Sequence, residues 1–324
     1  MLKNSLFNFL LSLIFFLLLL NIGLPPARGG ENSIITVPDD VSSINLAIAA
    51  VPEGGTVIVR RGVYTEEVYV SKPITLLGEN GARMLAPIKV LDVKNVTLKG
   101  MSIKIIPAGT ATGIVLLNAS KALLENLEMI GTGIWIVNST EVTVRNCTFT
   151  ENPGPAIQVR GASSNGILIE NCLFNKTYTA LSVRQGANIT FRFNTVYGES
   201  LSIKLFSGCL NTTIYMNNIF KGEAEDNGLN NKWYNETLKL GNLWGEPKPE
   251  GDRNGDGIID EPKNIDGTAQ SVDKYPLTKP FTEYMNNKNQ PIGISTAIIT
   301  ATAVVAVIIF TALYRKRHGK VEQK

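Results

Sequence analysis

The sequence predicts an all-β chain wound into a right-handed parallel β-helix, and two repeating features support that fold class. An eight-residue pattern of alternating apolar and polar positions, with Asn or Gly in most copies at the fifth, recurs through the middle of the chain. The apolar residues that close its copies are spaced by 26, 20, 25, 22 and 24 residues: Ile103, Met129, Phe149, Phe174, Val196 and Phe220. A second alternating segment follows within each period. Two or three short strands per period of this length are typical of one coil of a parallel β-helix.

Stacked coils place equivalent residues above one another at about 4.8 Å, so each position of the repeat becomes a column. We expect apolar columns inside the helix and Asn ladders at the turns. The polar position before the Asn or Gly faces outward, and its column holds residues of alternating charge: Lys99, Glu125, Arg145, Glu170 and Arg192. Opposite charges on neighbouring strands attract each other. We interpret this column as structural.

An open end of the stack exposes apolar interior and unpaired backbone, so a cap is expected at each end. In the N-terminal cap, Ser42 or Asp40 precedes a short helix in which Ile44, Ala47, Ile48 and Val51 share one face. The predicted division is an N-terminal cap at residues 30–55, repeats at 56–222 and an acidic C-terminal cap with an Asp-rich loop at 223–285.

Two apolar runs at the ends predict the topology. Residues 1–29 contain the run from Leu6 to Leu20 and are typical of a signal peptide or an uncleaved N-terminal anchor. After a linker at 286–293, Ile294 to Leu313 has no charge over twenty residues, which predicts a transmembrane helix at 294–314. The basic tail at 315–324 is expected in the cytoplasm. These features predict a cell-membrane protein with one C-terminal span and most of the chain outside the cell.

The charges exclude several classes of function. The net charge of +3 comes from the ends, because the region between them has 24 Lys and Arg against 27 Asp and Glu. No basic cluster precedes residue 315, which argues against a nucleic-acid partner. The one histidine, His318, lies in the tail, which excludes His-based acid–base catalysis and His-ligated zinc or copper upstream.

Two groups of motifs carry a resemblance to a known family. The first is the run from Val37 to Gly78, with the elements Gly-Gly-Thr-Val-Ile-Val, Gly-Val-Tyr-x-Glu and Lys-Pro-Ile-Thr-Leu-Leu-Gly. The second comprises Asn230 to Trp233, Gly241 to Trp244, Asp252 to Pro262 and Asp273 to Leu277. The chain resembles the right-handed β-helix proteins similar to NosD, also called carbohydrate-binding and sugar-hydrolase (CASH) domains, and its C-terminal motifs resemble the membrane-anchored archaeal members.

The resemblance implies a pectin-lyase-like β-helix over about residues 34–282 and leaves the activity open. Such β-helices include lyases, hydrolases, epimerases, copper-delivery accessory proteins and non-catalytic surface proteins. A copper role needs clustered soft ligands. The predicted external region has no histidine, and Met101 and Met129 occupy repeat positions. Copper binding is therefore disfavoured.

The stretch from Asp252 to Asp260 resembles part of a calcium-binding loop. Side-chain oxygens are available at positions 1, 3, 5 and 9 of such a loop, which are Asp252, Asn254, Asp256 and Asp260. Gly257 is at position 6, and the backbone carbonyl of Ile258 is at position 7. Position 12 is Lys263 in place of the bidentate Glu. Two interpretations stay open, a bound Ca²⁺ that organises the cap and a polar turn without metal.

The candidate ligand-binding residues lie on the outer face of one strand stack: Trp135, Gln158, Arg160, Arg184 and Lys204. An indole ring can stack on a sugar, and the basic groups can pair with uronate or sulfate. No carboxylate falls on this face, whereas a glycosidase needs two across one bond. The pattern favours binding over turnover, with an inert solvated face as the alternative.

The sequence also contains a candidate disulfide and several N-glycosylation motifs. Cys147 and Cys172 occupy the same repeat position one coil apart, within reach of a disulfide, with a column of free interior thiols as the alternative. Eight Asn-x-Ser/Thr motifs make some glycosylation possible outside the cell.

We therefore predict a membrane-anchored, non-catalytic extracellular module that binds carbohydrate or a neighbouring envelope component. A polysaccharide lyase or hydrolase is the first alternative, and a NosD-type accessory protein for copper-enzyme maturation is the second.

Overall fold

The strands form because short alternating segments direct every second side chain inward. The structure, a computed structural model, describes residues 33–105 and 112–285, and there the chain winds into a right-handed parallel β-helix with three sheets. Successive coils pair in parallel and in register, as Leu124 does with Leu98 and Val144. The predicted fold class is confirmed for this part of the chain.

The strands divide among the sheets as follows. Sheet 1 contains β1 (Ile34–Val37), β2 (Thr56–Val59), β5 (Thr75–Gly78), β8 (Thr97–Lys99), β11 (Leu123–Glu125), β14 (Thr143–Arg145), β17 (Asn165–Glu170), the end of β19 (Thr179–Arg192) and β21 (Thr213–Tyr215). Sheet 2 contains β3 (Gly62–Tyr64), β6 (Ala82–Met84), β9 (Ser102–Ile103), β12 (Glu128–Ile130), β15 (Thr148–Thr150), β18 (Leu173–Thr177), the starts of β20 (Thr195–Leu210) and β22 (Asn218–Asp226), and β23 (Leu243–Trp244). Sheet 3 contains β4 (Val68–Val70), β7 (Ile88–Leu91), β10 (Ile114–Leu117), β13 (Ile134–Val137), β16 (Pro155–Arg160), the start of β19 and the later parts of β20 and β22.

The interior consists of stacked apolar columns. Phe149 and Phe174, one coil apart, lie parallel with ring centroids 4.8 Å apart, and Phe191 continues the aromatic cluster at 5.7 Å. All three side chains are fully buried. Burial of each phenylalanine contributes about 2 kcal/mol or more, so these columns are the main source of stability.

A short helix, α1 (Ile44–Ala50), closes the N-terminal end. Its N-cap is Ser43, one residue after the predicted Ser42, because Glu66 of the first coil binds this position. The Glu66 carboxylate accepts hydrogen bonds from the Ser43 hydroxyl and the Ile44 amide, both at 2.7 Å. Hydrogen bonds to Glu66 therefore attach the N-terminal end of the helix to the first coil.

The outward charge column is confirmed. Glu125 lies 2.8 Å from Lys99 and 2.7 Å from Arg145, and Glu170 lies 2.8 Å from Arg192. Burial acts to raise the pKa of Glu125, but the two basic neighbours outweigh it and lower that pKa. These ion pairs join the three coils of Lys99, Glu125 and Arg145 and the two coils of Glu170 and Arg192, with no ion pair between Arg145 and Glu170 among the described residues.

A second, buried column lies at the corner that follows sheet 1. Its early members are Met101, Leu127, Cys147 and Cys172, and its later members are Asn194, Asn217 and Asn242. The Asn217 side-chain oxygen accepts a hydrogen bond from the Asn194 side-chain amide at 3.1 Å. The Asn242 side-chain oxygen accepts one from the Asn217 side-chain amide at 2.8 Å. The asparagines that the sequence predicted at the turns precede the members of this column by one residue. Asn146, which precedes Cys147, has a left-handed backbone conformation with φ +54°. The hydrogen-bonded ladder is therefore at the following position, inside the core.

The C-terminal cap continues the strand pairing past residue 222 as far as β23. It adds a 3-10 turn (Pro249–Gly251), an antiparallel pair formed by β24 (Lys263–Asn264) and β25 (Val272–Asp273), and a short helix α2 (Phe281–Met285). Within residues 33–105 and 112–285, no helix is long and apolar enough to cross a membrane. The predicted signal peptide or anchor (1–29), linker (286–293), transmembrane helix (294–314, with Ile294 to Leu313) and basic tail (315–324) lie outside the described residues.

Candidate functional site

The predicted ligand residues lie on the outer face of sheet 3. The register pairs Trp135 with Gln158, Gln158 with Ser182 and Ser182 with Lys204. Arg160 is the last residue of β16, and Arg184 lies beside it in β19, one residue after the paired Val159 and Val183. The structure therefore brings all five predicted residues onto one surface, which we call the sheet 3 face.

Trp135 supports a guanidinium on this face. The Arg160 guanidinium carbon lies 4.2 Å from the centre of the indole ring. The same guanidinium donates a hydrogen bond from Nε to the Gln158 side-chain oxygen. Gln158 is only 3% exposed although it points outward, because the arginine covers it. The ring that the sequence offered as a sugar platform therefore holds an arginine in place.

A second aromatic ring holds two more cations. Arg184 and Lys204 lie over the Phe206 ring at 4.8 and 5.0 Å from its centre. Lys204 also forms a 2.8 Å ion pair with Glu225. Its charge is therefore neutralised, whereas Arg184 forms no ion pair with any residue that the structure describes.

Arg160 and Arg184 act on each other electrostatically. Burial, followed by the charge of Arg184, lowers the pKa of Arg160. Among the described residues neither arginine has a carboxylate partner. Two neighbouring guanidinium groups that repel each other, and that aromatic rings hold in position, form a surface able to receive an anion.

Among the described residues, acidic groups of this face lie toward its two ends. At the N-terminal end Glu67 pairs with Lys89, and at the C-terminal end Glu225 pairs with Lys204. Between Trp135 and Arg184 the described residues of this face include no carboxylate, but the predicted absence of carboxylates from the whole face was wrong, because Glu225 pairs in register with Lys204. The sheet 3 face thus combines a cationic centre with neutralised ends.

The Asp-rich loop is folded by its own side chains. Asp252 accepts hydrogen bonds from the amides of Gly255 and Gly257, both at 2.7 Å, and Asp256 accepts from the Ile258 amide at 2.8 Å. Asp260, the ninth position, pairs with Arg253 at 2.9 Å. That hydrogen bond and charge lower the pKa of Asp260.

No cluster of three His, Cys, Asp or Glu residues suited to a metal occurs in the described segments. Oxygens from Asn254 and the Ile258 carbonyl are the additional ligands that this loop offers. Calcium binding stays a prediction.

The two stacked cysteines are free thiols. The Cys147 sulfur lies 3.3 Å from the Arg145 carbonyl, and the Cys172 sulfur lies 3.3 Å from the Glu170 carbonyl, so both thiols point the same way along the stack. Burial is the main cause of the raised pKa of Cys172. The structure corresponds to the interior thiol column and not to the disulfide candidate.

A buried acceptor that the sequence did not predict ends the Asn ladder. Asp273 accepts from the Asn242 amide at 2.8 Å and from the Trp244 indole at 2.9 Å. Asp226 has a similar role beside it and accepts from the Trp233 indole at 3.0 Å. The C-terminal motifs contained Asp273 but not Asp226, and the Asp273 contacts join positions about thirty residues apart, which no local pattern indicates.

The parallel in-register pairing of successive coils defines a parallel β-helix. The sequence profile described as periplasmic copper-binding protein NosD matches residues 50–249, and the chain belongs to the NosD family. No curated protein matches the chain.

Three solved structures are similar in fold. The Streptococcus pneumoniae surface protein and adhesin PfbA has a TM-score of 0.45 and 14% identity, covering 68% of this chain and 75% of its own. ORF18 of Geobacillus virus E2 has a TM-score of 0.32 and 16% identity, covering 68% and 58%. The Dettilon tailspike protein gp208 has a TM-score of 0.35 and 12% identity, covering 68% and 63%.

Proposed function

We propose that this protein is a non-catalytic surface module that binds an acidic polysaccharide along the sheet 3 face. One observation carries the proposal: Arg160 and Arg184 are held against aromatic rings with no acidic partner among the described residues. Building two unneutralised charges side by side costs stability, and a bound anion removes that cost.

The spacing of the site suits a repeating anion. The two arginines belong to successive coils, which rise by about 4.8 Å. Each guanidinium offers a planar fork that matches a carboxylate or a sulfate. We therefore expect a chain of uronate or sulfated sugars to follow the helix axis.

The test measures binding of the full-length protein to immobilised polygalacturonate, heparin and neutral dextran. We expect salt-sensitive retention on one or both acidic polymers and none on dextran. The double variant Arg160→Ala/Arg184→Ala should lose about tenfold or more in affinity, which corresponds to about 1.4 kcal/mol. Arg83→Ala is the matched control, because Arg83 is exposed on sheet 2 and has no ion pair within the described chain. Equal retention of the double variant and the wild type would refute the site.

The enzyme alternative is tested in the same samples. A glycosidase needs two carboxylates across the bond that it cleaves, and the centre of the sheet 3 face has none. We expect no new reducing ends and no unsaturated products after long incubation. Release of either product would replace the binding proposal with a lyase or hydrolase.

Copper binding, which the family's description raises, has little support in this chain. The thioethers of Met101 and Met129 and the thiols of Cys147 and Cys172 are all at most 2% exposed. A copper ion needs soft ligands that it can reach.

We also propose, from the sequence, that residues 294–314 anchor the module in a membrane with most of the chain outside the cell. Carbonate-resistant membrane association of the full chain, lost when residues 294–324 are deleted, is the expected result. Recovery of the undeleted chain in the soluble fraction would contradict it.

A further inference from the structure

Two connected clefts lie at the corner between sheets 2 and 3 near the C-terminal cap. One, of about 440 Å³, is lined by Glu199, Ser200 and Leu201, and the other, of about 340 Å³, has Trp244 in its lining. They share Lys221, Gly222 and Glu223. Their volumes fall within the range of small-molecule sites.

The corner departs from the regular coil. Between β20 and β22 the register shifts three times, at Val196/Tyr197, Tyr197/Leu201 and Leu201/Ile203. Bulges of this kind redirect side chains and are frequent beside binding sites.

Glycine keeps this corner tight. Added Cβ atoms on Gly198 and Gly222 would lie 2.3 and 2.2 Å from the hydroxyl of the buried Ser202. That hydroxyl donates a 2.8 Å hydrogen bond to the Lys221 carbonyl. The cleft therefore has a defined wall.

Aromatic rings line the clefts. Phe220 stacks on Tyr197 with ring centroids 5.0 Å apart, and both rings are partly exposed. Trp244 is also partly exposed, while its indole N–H is held by the buried Asp273 at 2.9 Å. The hydrogen bond to Asp273 thus fixes the orientation of the Trp244 ring in the cleft.

The polar lining is balanced in charge. Three lysines and three carboxylates line the two clefts: Lys221, Lys248, Lys263, Glu199, Glu223 and Asp266. None of the six forms an ion pair with another described residue, and the Lys263 ammonium lies 5.9 Å from the centre of the Trp244 ring. Asn264 adds an amide that can both donate and accept. The lining offers both donors and acceptors without a strong field of one sign.

We propose that this corner is a second binding site, for a neutral sugar unit of an oligosaccharide. A pyranose presents an apolar C–H face to aromatic rings and hydroxyl groups that donate and accept. An anion would favour the arginine surface on sheet 3, because the cleft carries as many carboxylates as lysines. The two sites differ in position and in ligand class, so this proposal stands independently of the acidic-polysaccharide site.

The test uses Trp244 as a reporter in the full-length protein, purified in a detergent without a sugar headgroup. In a Trp135→Phe background the remaining indoles are Trp244 and the fully buried Trp233. The probes are cellotriose, maltotriose, mannotriose and chitotriose, with trigalacturonate as the acidic comparison. We expect at least one neutral probe to change the fluorescence with saturation at about 20 mM or less, with matching saturation-transfer signals in NMR.

The double variant Glu223→Gln/Lys263→Gln should weaken that binding at least tenfold. Glu128→Gln/Lys94→Gln, which changes the same residue types at exposed positions elsewhere, should leave it unchanged. Melting curves show whether each variant is folded, and saturation-transfer NMR provides a second measurement that does not depend on the indole. The proposal is overturned by no saturable response to any neutral probe, or by neutral-probe binding that is unchanged in the cleft variant.

Discussion

The guanidinium of Arg160 lies 4.2 Å from the centre of the Trp135 ring and donates to the Gln158 side chain beneath it. The indole therefore positions a charge. We expect Trp135→Ala to weaken binding to acidic polysaccharide about five- to tenfold, because Arg160 loses the ring that holds it in place. Trp135→Phe should retain most of the binding, since a smaller ring still supports the cation.

Binding isotherms at two salt concentrations provide the measurement. If Trp135 instead contacted a sugar directly, Trp135→Ala would weaken binding by the same factor at both salt concentrations, whereas loss of a positioned charge weakens it mainly at the lower one. Equal weakening at both salt concentrations would contradict the positioning role.

The second prediction concerns Asp273, the acceptor at the end of the Asn ladder. Burial is the main cause of the rise in its pKa from 3.8 to about 6, although Trp244 and Asn242 donate to it. The folded protein then binds more protons than the unfolded chain between these two pH values. Stability should therefore fall as pH rises from about 4 to about 6, by about 3 kcal/mol at most, and level off above.

Denaturant unfolding at successive pH values measures this slope. Several carboxylates with lowered pKa values, such as Glu125 and Glu67, act in the opposite direction below about pH 4.5. Asp273→Asn should therefore remove only the slope between about pH 4.5 and about pH 6, whereas the exposed Asp266→Asn should keep it. Identical slopes in the wild type and Asp273→Asn would show that the carboxylate does not titrate there.

The third prediction concerns the ladder itself. Asn217 donates from its side chain to the Phe191 carbonyl at 2.9 Å and accepts from the Asn194 amide at 3.0 Å. Asn217→Leu leaves these buried groups unpaired, so the free energy of unfolding should fall by about 3 kcal/mol or more. Asn264→Leu, the same change at an exposed position, should cost about 0.5 kcal/mol or less. Urea unfolding compares the two, and similar small losses would mean that the ladder is not required.

The sequence predicted the coils well because each coil repeats a local pattern. The alternating strands, the charge column from Lys99 to Arg192 and the residues of the sheet 3 face all follow from strand alternation and a period of 20 to 26 residues. These properties need no knowledge of distant contacts.

Other features depend on contacts that no local pattern shows. The N-cap of α1 is Ser43 and not the predicted Ser42, because Glu66 of the first coil accepts a hydrogen bond from the Ser43 hydroxyl. Trp135 and Arg160 were both chosen from the sequence, but their contact joins two coils and changes the role of the ring. The corner clefts arise from three register shifts, which a periodic pattern cannot indicate.

The fourth prediction concerns glycosylation. Five of the eight Asn-x-Ser/Thr motifs have an exposed Asn with positive φ near the corner between sheets 3 and 1: Asn95, Asn118, Asn138, Asn188 and Asn211. Asn146, Asn175 and Asn235 are partly buried. We expect any N-glycans in the native host to occur on the first group. Crowding at about 4.8 Å between coils should prevent full occupancy. Glycopeptide mass spectrometry tests this, and occupancy confined to the second group would contradict it.

The fifth prediction concerns calcium. We propose that the loop from Asp252 to Asp260 binds Ca²⁺ weakly, with a dissociation constant of about 1 mM, because Lys263 stands at the twelfth position and Arg253 competes for Asp260. A Ca²⁺ concentration about ten times higher should stabilise the cap by about 1.4 kcal/mol and raise the melting temperature by a few degrees. Asp256→Asn preserves the oxygen that accepts from the Ile258 amide but removes a charged ligand, so it should abolish the shift. Asp266→Asn should retain it, Mg²⁺ should not reproduce it, and an equal shift in Asp256→Asn would place the ion elsewhere.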